Sequence, residues 1–91
     1  MKRQAARRDA NETEIVRTLR QIGCTVVRTD EIDLIVGYRG RSILLEVKDG
    51  EAKREQLTPN QIALKAGWRG QYDIVTSADE AIAVVQRETL R

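Results

Sequence analysis

Two apolar runs, residues 32–38 and 42–48, are separated only by Arg39-Gly40-Arg41. Runs of that length, rich in Ile, Leu and Val and joined by a short connection containing Gly, predict a β-hairpin. Both are apolar on both faces near their centres, so the hairpin is expected inside a covered sheet. The same runs also hold Asp33, Glu46 and Lys48. Burying a carboxylate among aliphatic side chains is costly unless its charge is compensated. The three charges therefore need a reason.

Strand geometry supplies one. Glu46 and Lys48 are two residues apart and share a face of their strand. Asp33 lies near the start of the first strand and Glu46 near the end of the second. In an antiparallel pair they can face each other, with Lys48 one pleat further on. Two carboxyls that close cannot both ionise without counter-charge. A divalent cation held by both, with a backbone carbonyl and water, provides it. Two acids, a hard cation and a lysine suit metal-assisted cleavage of a phosphodiester. The competing reading is a buried Asp–Lys or Glu–Lys ion pair, a costly way to stabilise a small domain.

Composition narrows the chemistry further. The chain has 91 residues and no histidine, which removes Ser-His and Cys-His nucleophiles, His general bases and His-ligated zinc. A single cysteine, Cys24, forbids an intrachain disulfide; it reads as a small buried hydrophobe in a reducing, cytoplasmic setting. No apolar stretch is long enough for a membrane span or a signal-peptide core, so no membrane partner is expected. Net charge is only +2, but Lys2, Arg3, Arg7 and Arg8 crowd residues 1–8 without an acid. Residues 1–10 are assigned to a basic arm, solvated or gripping phosphate. Residues 11–91 are assigned to one domain.

Around the hairpin the pattern alternates. Asn11 is a candidate N-cap with Glu14 closing a capping box. Ile15, Val16, Leu19 and Ile22 recur at helical spacing up to Gly23. Residues 24–28 read as a strand, and 29–31 as a polar turn. Residues 49–56 form a polar loop. Thr58, Pro59 and Gln61 mark a strong helix start, with that helix ending near Gly67. A turn at 68–70, a strand at 72–76 and a final helix from Ala78 to about Arg87 complete the order αβββαβα. This is an α/β fold with helices packed on a sheet.

Several other residues carry two readings each. Glu14 serves the capping box first. Glu12 complements the helix dipole, and either acid can lend the cation a third carboxylate. Gln61 caps its helix, or orients a water or phosphate. Arg28 is a solvated strand-end charge or a phosphate contact. Lys53 and Arg54 read as surface charges first and DNA contacts second. Trp68 is assigned to packing, with base stacking the second reading.

Ile32-Asp33, a spacer and Glu46-Val47-Lys48 together resemble the PD-(D/E)xK nuclease signature, with Ile32 where Pro is customary. The stretch from Glu12 to Gly23, then Val26-Val27-Arg28, Ile32-Asp33-Leu34 and Leu45-Glu46-Val47-Lys48, is similar to the archaeal Holliday-junction resolvases. Leu57-Thr58-Pro59-Asn60-Gln61, Gly67 and the strand at 72–76 are similar to the virus-type replication-repair nuclease (VRR-NUC) domain. Two fixed residues make the Glu46-x-Lys48 pattern weak alone; the ordered set with the helix acid and the Leu-Thr-x-x-Gln segment is more specific.

The resemblance implies a restriction-endonuclease-like fold with a mixed central sheet. It implies Mg²⁺ or Mn²⁺ bound by Asp33, Glu46 and the carbonyl of Val47. Glu12, rather than Glu14, takes the place of the family's helix acid, by its distance from Gly23. Lys48 positions or activates the attacking water, Gln61 lies near the metal, and Arg28 matches a basic position of the resolvases. The implied function is a structure-specific DNA endonuclease of a phage or prokaryotic cell. The first expectation is a homodimeric Holliday-junction resolvase acting on branched DNA in repair and recombination. The alternatives are a nuclease of the same fold acting on flaps, nicks or duplex DNA, and a DNA-binding module without catalysis.

Overall fold

The computed structural model describes residues 10–90; the basic run that includes Arg7 and Arg8 lies outside them. The elements are α1 (Glu12–Gln21), β1 (Thr25–Arg28), β2 (Leu34–Tyr38), β3 (Arg41–Val47), α2 (Pro59–Gly67), β4 (Asp73–Val75) and α3 (Ala78–Thr89). They form an α/β structure with the expected order. A single turn of 3₁₀ helix, Glu51–Lys53, interrupts the polar loop.

The sheet is four-stranded and mixed, in the order β1-β2-β3-β4. β1, β2 and β3 run antiparallel; β4 joins β3 in parallel, across the connection that contains α2. The β2–β3 connection is tighter than the sequence suggests. Tyr38 pairs with Arg41, leaving Arg39 and Gly40 as the turn, both at positive φ (51° and 78°). This is the left-handed pair that matches strand twist in a two-residue hairpin. The Arg39 guanidinium lies 5.2 Å from the centre of the Tyr38 ring, a contact that offsets part of the backbone cost.

Register separates the two faces. Val26, Val36 and Ile43 form one row, with Leu34 and Leu45 beside it. These residues, with Val47 and Val75, pack against Ile15, Val16 and Leu19 of α1 and Ala81, Val84 and Val85 of α3 in one aliphatic core. The opposite face holds Val27, Ile35 and Leu44 in one row, and it is not sealed. Val27 is 57% exposed, Ile35 and Leu44 are half-buried, and α2 buries none of its residues. The expectation of a sheet covered on both sides is therefore corrected. The apolar centres of β2 and β3 are covered fully only where two helices meet them.

The helix ends also discriminate between readings. α1 closes as the sequence suggests. Gly23 sits at φ 101°, Gly23 N–H donates to Arg20 C=O at 3.1 Å and Cys24 N–H to Leu19 C=O at 3.0 Å. Those two bonds define a Schellman cap, and the buried Cys24 and Leu19 supply its apolar contact. The start of α1 differs. Asn11 makes no side-chain cap; its Nδ2 donates to the carbonyls of Lys48 (2.9 Å) and Thr76 (2.8 Å). It clips the helix to the ends of β3 and β4, and Glu14 is left exposed. Replacing Gly23 by Ala forces a side chain into the left-handed region. The expected cost is about 1–2 kcal/mol, read from the shift of the urea midpoint; an unchanged midpoint would rule out this cap.

Candidate functional site

The β2–β3 register, extended one step beyond Leu34↔Leu45, sets Asp33 opposite Glu46. The loop before β2 fixes Asp33: Thr29 N–H donates to its carbonyl at 3.1 Å, and Ile32 N–H donates to Thr29 Oγ1 at 3.0 Å. Asp33 Oδ2 accepts from Val47 N–H at 2.9 Å, taking over a backbone donor where the ladder ends. Both carboxyl groups are buried, and they are hydrogen-bonded to each other.

Glu46 sits inside a polar network. Gln61 Nε2 donates a short hydrogen bond to its Oε2. Tyr72 OH donates to Oε1 at 3.3 Å, and Lys48 Nζ stands 3.8 Å from Oε2. Burial pushes the Glu46 carboxyl up to about 8, and repulsion and hydrogen bonding from Asp33 add to it; Lys48 and Tyr72 pull the other way and lose. Burial, then the charge of Glu46, raises the Tyr72 phenol, so Tyr72 remains a donor.

Gln61 caps its helix and also reaches the carboxyl pair. Thr58 Oγ1 accepts from Gln61 N–H at 3.2 Å, and Gln61 Oε1 accepts from Thr58 N–H at 3.0 Å, a complete capping box. The same Oε1 also accepts from Lys48 Nζ at 3.1 Å. One side chain therefore caps α2 and holds both Lys48 and Glu46. A groove of about 470 Å³, lined by Asp30, Glu31, Thr58, Asn60, Gln61 and Leu64, opens onto it.

The remaining expected site residues lie elsewhere. Glu12 is buried at the start of α1, with Arg28 Nε 3.5 Å from its Oε2. Among the described residues no three acidic, Cys or His side chains gather as a ready-made metal cluster. Arg28 is correspondingly engaged by Glu12. Arg54 is a structural staple rather than a free cation. It makes two bonds to Glu51 (2.7 and 2.8 Å), two to Glu80 (3.0 and 2.8 Å) and one to the Ile74 carbonyl (2.9 Å). Lys53 is exposed. Compared with known proteins, the chain matches no family model, no curated protein and no solved structure. The reading of the site therefore rests on its own geometry. Among the described residues no helix is long and apolar enough to cross a membrane.

Sequence reasoning missed Tyr72. Its signal was available only in part: Tyr72 and Ile74 alternate onto one face, and Ile74 pairs with Glu46, but a parallel register cannot be read from the sequence. The donor set fits a hard divalent cation. Once both are ionised, two facing carboxyls would carry more negative charge than Lys48 offsets, and Mg²⁺ commonly takes only one or two protein carboxylates, filling its shell with water and substrate phosphate.

In the metal-free chain Glu46 holds its proton to about pH 8, against an ordinary value near 4.5. The folded state thus binds more protons in between, and this contribution is fully present below about 4.5 and lost as pH rises toward 8. The urea midpoint of the parent is expected to decline across that window relative to Glu46→Gln. Parallel profiles for the two proteins would refute the buried, protonated Glu46.

Proposed function

We propose that this chain is a metal-dependent DNA endonuclease with a restriction-endonuclease-like arrangement, acting on branched DNA. The observation that carries the reading is the buried Asp33–Glu46 pair with Lys48 beside it, held through Gln61. Asp33 and Glu46, with the Val47 carbonyl, would hold Mg²⁺ or Mn²⁺. When bound, the cation supplies positive charge at the phosphate. The chain's own groups do the rest. Lys48, oriented by Gln61, presents its N–H donors to the attacking water and to the charge that develops on phosphorus. Water adds to phosphorus, one P–O ester bond breaks, and the products are a phosphate end and a hydroxyl end. Gln61 and Tyr72 fix the Glu46 carboxylate so that it need not reorganise during the reaction.

The likeness to junction resolvases favours a four-way junction as substrate and a homodimer whose two sites make paired nicks. Asp30 and Glu31 also line the groove beside Gln61.

Asp33→Ala is expected to slow Mg²⁺-dependent nicking of a four-way junction by about a hundredfold or more while leaving junction binding intact. Equal cutting by the variant would remove the site assignment. A panel of four-way, flap, nicked and linear duplex DNA identifies the substrate. Binding without cutting of any of them, together with no calorimetric Mn²⁺ uptake, would favour a non-catalytic DNA-binding module.

A further inference from the structure

The chain contains no Phe and one Trp, and that Trp is not in the core. Trp68 follows the last turn of α2 as its C-cap, with extended backbone, and 44% of it is exposed. An exposed indole is commonly loose, but this one is fixed. Its Nε1 donates to the Gln71 carbonyl at 3.1 Å. Gly70 lies against it so closely that a Cβ there would stand 2.9 Å from Nε1 and 3.4 Å from Cε2.

The support behind the ring is itself anchored. Gln71 Oε1 accepts from Leu44 N–H and Gln71 Nε2 donates to Leu44 C=O, each at 2.8 Å, and Nε2 also reaches Asp73 at 2.8 Å. Its side-chain amide thus pairs with β3 just before β4 begins. The indole is tied through Gln71 to Leu44, and Leu44 is two residues from Glu46 on the same face of β3.

Two cations stand near the indole in the chain. Lys65, one helical turn before Trp68, and Arg69, the next residue, are both exposed and make no ion pair with a described residue. Lys65 also lines a groove of about 290 Å³ whose walls include Glu55, Leu57, Tyr72, Asp73 and Ile74. Through Tyr72 that groove borders the Asp33–Glu46 pair. A pinned aromatic side chain with cations beside it in the chain, tied through Gln71 to the strand that carries Glu46, has the chemistry that binds a nucleobase and its phosphates.

We propose that Trp68 is a stacking platform for an unpaired base of the nucleic acid that the site cleaves, with Lys65 and Arg69 contacting the adjoining phosphates. The inference rests on the nuclease reading for the identity of the ligand, and it commits that substrate to carrying a single-stranded or unstacked base near the cut.

Because Trp68 is the sole tryptophan, its emission reports the contact directly. In EDTA, a short oligothymidylate is expected to quench Trp68 emission, while an abasic strand of equal length binds without quenching. By anisotropy of the labelled strands, Trp68→Ala is expected to weaken the oligothymidylate roughly tenfold and leave the abasic strand unchanged; Trp68→Phe retains most of the affinity. Gly70→Ala, which displaces the ring, is expected to reduce the quench. No quench at saturation, or equal weakening of both strands by Trp68→Ala, overturns the proposal. A protein that shows base-dependent quenching but cuts no DNA with Mg²⁺ keeps the platform and loses the nuclease reading. One that cuts without base-dependent quenching loses the platform and keeps the nuclease. No binding of either strand overturns the platform, and the junction-cleavage assay decides the nuclease reading separately.

Discussion

Pairing Leu34 with Leu45 does two things at once, and most of the molecule follows from them. It lines up Leu34, Val36, Ile43 and Leu45 on one face of the sheet, where α1 and α3 close over them. One step further along it sets Asp33 against Glu46. A slip by one residue would turn the aliphatic row of one strand toward solvent and separate the carboxyls, so core and site share a single register. The cost of the buried acids is carried by the same pairing that gains the core.

The polar side of that pairing is unbalanced. A lysine 3.8 Å from Glu46 contributes about 4 kcal/mol of attraction at a dielectric suited to a partly buried pair. Desolvation of a buried carboxylate is of similar size, and Asp33 adds repulsion. The balance favours a protonated Glu46, as its raised pKa records. In the proposed function, a divalent cation would supply the positive charge that the pair lacks. Gln61, Tyr72 and the Val47 N–H hold the carboxyls in place.

Much of this architecture was legible in the sequence because it is local. The hairpin, the Gly23 stop and the Thr58–Gln61 capping box depend on neighbouring residues, and they formed as their chemistry requires. What could not be read depends on distant partners. Asn11 has good capping chemistry, but two carbonyls from β3 and β4 compete for its amide and win. Arg54 looked like a surface cation because Glu80, 26 residues away, becomes its neighbour only once α3 docks. Glu12 lies buried beside Arg28, a neighbour that only the docking of α1 on β1 provides. Trp68 was assigned to packing on composition, whereas the core filled with aliphatic residues and left it outside.

The double use of Gln61 gives α2 an unusual status. A helix that buries none of its own residues gains little from the hydrophobic effect, and such segments open before the core does. The hydrogen bonds that Gln61 donates to Glu46 and accepts from Lys48 are prominent among its ties to the sheet. The charge state of the carboxyl pair therefore sets how firmly that helix is docked. The charge of the sheet-end pair and the seating of the helix that walls the groove therefore share one set of hydrogen bonds.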